Sequence, residues 1–61
     1  MNVELGEKVS IDDITMTCTE KRESLAGRAY IFVYFNCGEL KELRFSPAEL
    51  DALGARKGGN P

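Results

Sequence analysis

Arg28-Ala29-Tyr30-Ile31-Phe32-Val33-Tyr34-Phe35 decides the fold. From Ala29 onward the segment has no polar alternation, and its β-branched and aromatic side chains favour an extended, pleated backbone. Alternate residues of a strand point to opposite sides, so Ile31, Val33 and Phe35 share one face and Tyr30, Phe32 and Tyr34 the other. A strand that is apolar on both faces belongs at the centre of a sheet, covered on both sides.

Toward the C-terminus, Asn36-Cys37-Gly38 reads as a tight reversal, with Gly38 in the left-handed position of a bulged hairpin turn. Leu40 to Phe45 then returns antiparallel. Leu43 and Phe45 alternate with Glu42 and Arg44 and are assigned inward, on the side of Ile31, Val33 and Phe35. Leu40 falls out of that phase, which places it on the opposite face or at a bulge. Ser46-Pro47-Ala48-Glu49 carries the signals of a helix start: a serine N-cap, proline at the first helical position and a glutamate completing a capping box. Phe45 and Leu50 stand at the two positions of a hydrophobic staple. Leu50 and Leu53 form a narrow apolar stripe, Gly54 weakens or ends the helix, and Arg56 and Lys57 suit its C-terminus.

Toward the N-terminus, Ile14, Met16 and Cys18 alternate with Thr15, Thr17 and Thr19, the pattern of a half-buried strand. Glu20 to Glu23 is charged, and Ser24 to Gly27 reads as a loop. For Val3 to Ile11, a short strand, a turn and a second strand fit, and so does one irregular extended arm. Asp12-Asp13 shifts the alternation by one residue, which calls for a turn or a bulge. The expected architecture is a small α+β domain: an antiparallel three-stranded β-meander, with a further short N-terminal strand as an option, and one C-terminal α-helix packed on the Ile31, Val33 and Phe35 side. Residues 1–57 would form the single domain and residues 58–61 a flexible tail.

With 61 residues there is room for one hydrophobic core, and chains this small often draw stability from a disulfide, a metal or a second copy. Eight basic residues against ten acidic ones give a net charge of −2, which offers little general attraction to a phosphate backbone. No apolar run approaches membrane-spanning length, and Met1-Asn2-Val3-Glu4 lacks the features of a signal peptide, so a cytoplasmic, unprocessed chain without a membrane role is expected. Cys18 and Cys37 are too far apart for a short metal-binding pair, and no histidine is present to complete a mixed zinc site. Two free thiols are expected, with a disulfide between neighbouring strands as the alternative.

Without histidine, the usual Ser-His and Cys-His arrangements are missing. Ser10 and Ser24 show no partner pattern, and Ser46 is taken by the cap. Asp12 and Asp13 would point to opposite sides of an extended chain and more simply start a turn. Gly27 and Gly38 match no phosphate-binding spacing. No enzyme, metal or cofactor is expected.

A single short helix cannot cover both faces of the central strand, so Tyr30, Phe32 and Tyr34 require an occupant. Three are open: the N-terminal segment through Val3, Leu5, Val9 or Ile11; a second copy of the chain; or single-stranded nucleic acid. For the third, Arg28 to Phe35 resembles the RNP1 strand motif of RNA-recognition domains at Arg28, Tyr30, Phe32, Val33 and Phe35, with Ala29 in place of glycine and Ile31 in place of a small residue. The resemblance covers one strand. It implies base stacking by Tyr30 and Phe32 and phosphate contact by Arg28, with Lys21, Arg22, Lys41 and Arg44 as neighbours. The reading carried forward is a small non-enzymatic interaction or regulatory module, homodimeric, that binds another protein through Tyr30, Phe32 and Tyr34; single-stranded nucleic-acid binding, with Arg28, Lys41 and Arg44 as contacts, is the alternative. Origin in a phage or mobile element fits the compact, untargeted chain as well as a host operon does.

Overall fold

In a computed structural model, which describes residues 1–58, the decisive segment lies within β3 (Gly27–Asn36). It is preceded by β1 (Lys8–Ile11) and β2 (Ile14–Ser24), and followed by β4 (Glu39–Phe45), α1 (Pro47–Ala52) and β5 (Arg56–Lys57). The chain is an α+β domain whose antiparallel sheet has five strands in the order β4-β3-β2-β1-β5. The expected meander is present as β2-β3-β4, enlarged by two strands. Each N-terminal alternative holds in part: residues 1–7 form no strand, while β1 is a strand joined to β2 by a two-residue turn at Asp12-Asp13 with Ile11 opposite Ile14.

Three boundaries differ from the sequence expectation for identifiable reasons. β2 continues through the charged Glu20 to Glu23 because a bulge at Thr19 resets its register: Cys18 lies opposite Phe32 and Glu20 opposite Ile31. The bulge turns Glu20 and Arg22 to one side of the sheet, where they form an ion pair, and Lys21 to the other, 3.3 Å from Glu4. The helix stops at Ala52, since Gly54 takes a φ of 73° and Ala55 donates its N–H back to the Leu50 carbonyl at 3.0 Å, closing the C-terminus. Arg56 and Lys57 therefore lie beyond the helix, paired with Ser10 and Val9 as β5. Gly58, expected in a tail, donates to the Lys8 carbonyl at 2.8 Å. The rest of the expected tail, residues 59–61, lies outside the described residues.

The helix start matches its sequence signals atom for atom. Ser46 Oγ accepts from the Glu49 N–H at 3.1 Å, and the Ser46 N–H donates to Glu49 Oε1 at 2.8 Å. Phe45 and Leu50 pack into the same cluster, as the staple requires. α1 crosses one face of the sheet and drives Leu50 fully into the core.

That face is the correction with the largest consequence. Leu43 lies opposite Phe32, and Phe45 opposite Tyr30, so the inward residues of β4 share a side with the tyrosines of β3, not with Ile31, Val33 and Phe35. The turn explains the change of phase. Cys37 and Gly38 both have positive φ, 53° and 79°, and form a two-residue loop flanked by Asn36 and Glu39, with no bulge residue. Leu40 consequently lies opposite Phe35 on the far face.

The core is made of Val3, Val9, Met16, Cys18, Tyr30, Phe32 and Leu50, edged by Met1, Ile11, Tyr34, Leu43, Phe45 and Ala55. Residues 1–7 close it as an ordered strap. The Met1 ammonium meets Asp51 of α1 at 3.0 Å, Val3 donates its N–H to the Tyr30 hydroxyl at 3.3 Å, and Gly6 and Glu7 hydrogen-bond the backbone of Cys18. Among the described residues no buried side-chain polar atom lacks a partner. No described helix is long and apolar enough to cross a membrane.

Candidate interaction surface

Alternation along β3 divides its residues between two environments. On the helix side, Tyr30 and Phe32 are 0% exposed and pack edge to face with ring centroids 6.2 Å apart. Tyr34 is half-buried at the rim of the same core. The strap and α1 together occupy the place left open for a partner in the sequence reading. Of the three occupants considered there, the N-terminal segment fills it, with Val3 directly against the Tyr30 hydroxyl. Tyr30 and Phe32 thus present no surface to a second molecule.

The basic residues expected beside them do not form a track. Arg28 is held by Glu23 and by Asn2 Oδ1, and Lys41 lies 3.4 Å from Glu39. Lys21 is paired with Glu4 and Arg22 with Glu20. Arg44 projects from the opposite face to Lys41, as its register partner Ile31 shows.

Among the described residues, no helix or strap crosses the other face of the sheet. At one end, Ala29 and Ile31 are buried, Ile31 being only 7% exposed although it sits on the uncovered side. Glu20 and Arg44 lie on either side of Ile31, and Arg22 lies opposite Ala29, so the stems of long charged side chains shield this end. Glu20 next to it, and more distantly Glu42, hold the Arg22 guanidinium above its ordinary pKa; in return Arg22 holds the Glu20 carboxyl below its own.

The end near the β3-β4 turn is different. Phe35 is 76% exposed and Leu40, directly opposite on β4, is 59% exposed; Val33 continues the patch inward. Beside Phe35 the sheet splits: Thr17 and Val33 are the last pair joining β2 to β3, and beyond them the two strands diverge. The cleft is lined by Asp13, Ile14, Thr15, Tyr34, Phe35 and Asn36 and encloses about 250 Å³. That is below the range usual for drug-sized ligands and suits one inserted side chain. Sequence reasoning missed this patch because it placed the helix over Ile31, Val33 and Phe35. The signal available was Leu40, whose phase already set it apart from Leu43 and Phe45.

Ser46 and Glu49 are committed to the helix cap, and no group of three or more potential metal ligands occurs among the described residues. Both cysteines are free. Burial pushes the Cys18 thiol above its ordinary pKa, whereas Cys37 is exposed in the turn. An Ellman titration of the native protein is therefore expected to count one rapidly reacting thiol per chain, and two after unfolding. Two fast thiols in the native state would contradict the placement of Cys18. Comparison with protein-family models, curated proteins and solved structures gave no match.

Proposed function

We propose that this chain is a small, non-enzymatic protein-binding module that works as a homodimer and contacts its partner through the uncovered face of the sheet. The observation that carries this reading is the Phe35–Leu40 pair. Two large apolar side chains stand adjacent and mostly exposed on a face that no other element crosses among the described residues. Contiguous apolar exposure on a small domain commonly marks an interaction site, and aromatic residues are enriched at the centres of such sites. The adjoining cleft offers a place for one partner side chain, and the charged end around Ile31 would orient docking through Glu20, Arg22 and Arg44. A cytoplasmic setting suits the two free thiols. Single-stranded nucleic acid gains no comparable support, because the two rings that would stack bases are enclosed.

Comparative affinity capture from the producing cell tests the reading. Bait chains would be wild type, Phe35→Ser with Leu40→Ser, and Leu25→Ser as a control at an exposed apolar residue of the β2-β3 loop. A protein retained by wild type and by the control but lost with the double variant, and then bound by purified wild-type chain, is the expected result. Equal recovery by all three baits would refute the assigned surface.

A further inference from the structure

β4 forms one edge of the sheet with seven residues, while the other edge, β5, has two. A long unpaired edge is a template for another strand, and proteins that must stay monomeric disrupt such edges with charges. The charges on β4 follow a different logic. A two-residue turn is closed by a hydrogen-bonded pair, here Asn36 and Glu39. Alternation then points the backbone N–H and C=O groups of Lys41, Leu43 and Phe45 toward β3, and those of Leu40, Glu42 and Arg44 toward the free edge.

A second copy of β4, related by a two-fold axis perpendicular to the sheet, must run antiparallel and place one residue opposite itself. Centring on Lys41, Glu42 or Arg44 sets like charges face to face. Centring on Leu40 runs into the turn and draws on the Lys41–Glu39 pair already made within the chain. Centring on Leu43 differs in every respect. Glu42 falls opposite Arg44 of the second copy twice, through the residues whose backbone groups face outward. Leu43 meets Leu43 in a close non-hydrogen-bonded pair, and Lys41 faces the second copy's Phe45 ring, a favourable partner for a cation. Glu42 and Arg44 are also residues with no ion-pair partner among the described residues of their own chain.

We infer that two copies of this chain join edge to edge through residues 41–45 of β4, with Leu43 at the two-fold axis and two Glu42–Arg44 pairs across it. The inference rests on the proposed self-association and specifies its interface. It gives one continuous sheet with five strands from each copy. Because the axis is perpendicular to the sheet, both Phe35–Leu40 patches lie on the same side, so a partner would meet two copies of the binding face at once.

Charge exchange tests the register on the full chain, by light scattering coupled to size exclusion and by sedimentation over a concentration series. Glu42→Arg alone and Arg44→Glu alone each set two like-charge pairs across the axis and are expected to weaken the dimer roughly thirtyfold. The double variant Glu42→Arg with Arg44→Glu restores both pairs and is expected to dimerise like wild type. An equimolar mixture of the two single variants is expected to form a heterodimer, since each supplies what the other lacks. Circular dichroism of each variant separates loss of association from loss of fold, and the double variant and the mixture report on the register even where a single variant folds poorly. A wild-type dimer unaffected by either single reversal would overturn the β4 interface and leave self-association standing through another surface. A wild-type chain that remains monomeric up to millimolar concentration would overturn both.

Discussion

Phe32→Ala is expected to cost the chain a third or more of its stability, whereas Phe35→Ala, three positions along the same strand, is expected to leave it nearly unchanged. Phe32 is completely enclosed, packed against the rings of Tyr30 and Phe45 with centroids 6.2 Å away in each case. Truncating a buried phenylalanine costs about 3–5 kcal/mol through lost transfer energy and the cavity left behind. A domain of 61 residues has about 3–9 kcal/mol of total stability, so that loss takes between a third of it and all of it. Phe35 contributes little to the core, and removing an exposed ring changes stability by about 0.5 kcal/mol in either direction. Guanidinium unfolding curves followed by far-ultraviolet circular dichroism would measure the difference. Similar losses for both variants would mean that the faces of β3 have been assigned incorrectly.

Val3→Asp is expected to damage the fold from outside the sheet, costing about 2–4 kcal/mol. Val3 is fully buried, and its N–H donates to the Tyr30 hydroxyl, so an aspartate there must either bury an unpaired carboxylate or lift the strap off the core. Lifting would expose Tyr30 and Phe32 and would part the Met1 ammonium from Asp51. The chain has no tryptophan and only two tyrosines, so tyrosine emission and its quenching by iodide report directly on the state of Tyr30 and Tyr34. The variant is expected to show a lower unfolding midpoint together with a newly quenchable tyrosine. Unchanged stability and quenching would show that residues 1–7 do not close the core.

These two residues also show what could and could not be read from the sequence. The helix start was fully legible because the capping box and staple are local and directional: Ser46, Pro47, Glu49 and Leu50 each occupy the position their chemistry favours. The β3-β4 hairpin was legible for the same reason. Its phase was not, because β3 is apolar on both faces and only the length of the turn decides which face joins Leu43 and Phe45. Reading Asn36-Cys37-Gly38 as a bulged turn, where the structure has the two-residue loop Cys37-Gly38, shifts β4 by one residue and sends Leu43 and Phe45 to the wrong face of β3. The sequence discouraged the shorter loop, since Cys37 must adopt a positive φ that non-glycine residues rarely take.

The candidate surface inherited that error. Tyr30, Phe32 and Tyr34 were set apart correctly as a distinct face, and of the residues suggested to cover it Val3 and Val9 lie in the core and Ile11 at its edge, whereas Leu5 is exposed. What could not be seen was that the helix and the strap lie on the same side. β5 was beyond reach for a different reason: it is two charged residues paired to β1 and helped by a Lys57–Glu7 ion pair at 3.2 Å, with no side-chain pattern to announce it.

The most direct test of self-association through β4 is amide hydrogen exchange along that strand, measured by nuclear magnetic resonance at several protein concentrations. The account expects Lys41 and Leu43 to be protected at every concentration through their bonds to β3, and Glu42 and Arg44 to be protected only when the chain is concentrated, losing protection on dilution. Glu42 and Arg44 amides that exchange at open-chain rates throughout, beside protected Lys41 and Leu43, would show that the outer edge of β4 is bare and contradict the edge-to-edge dimer.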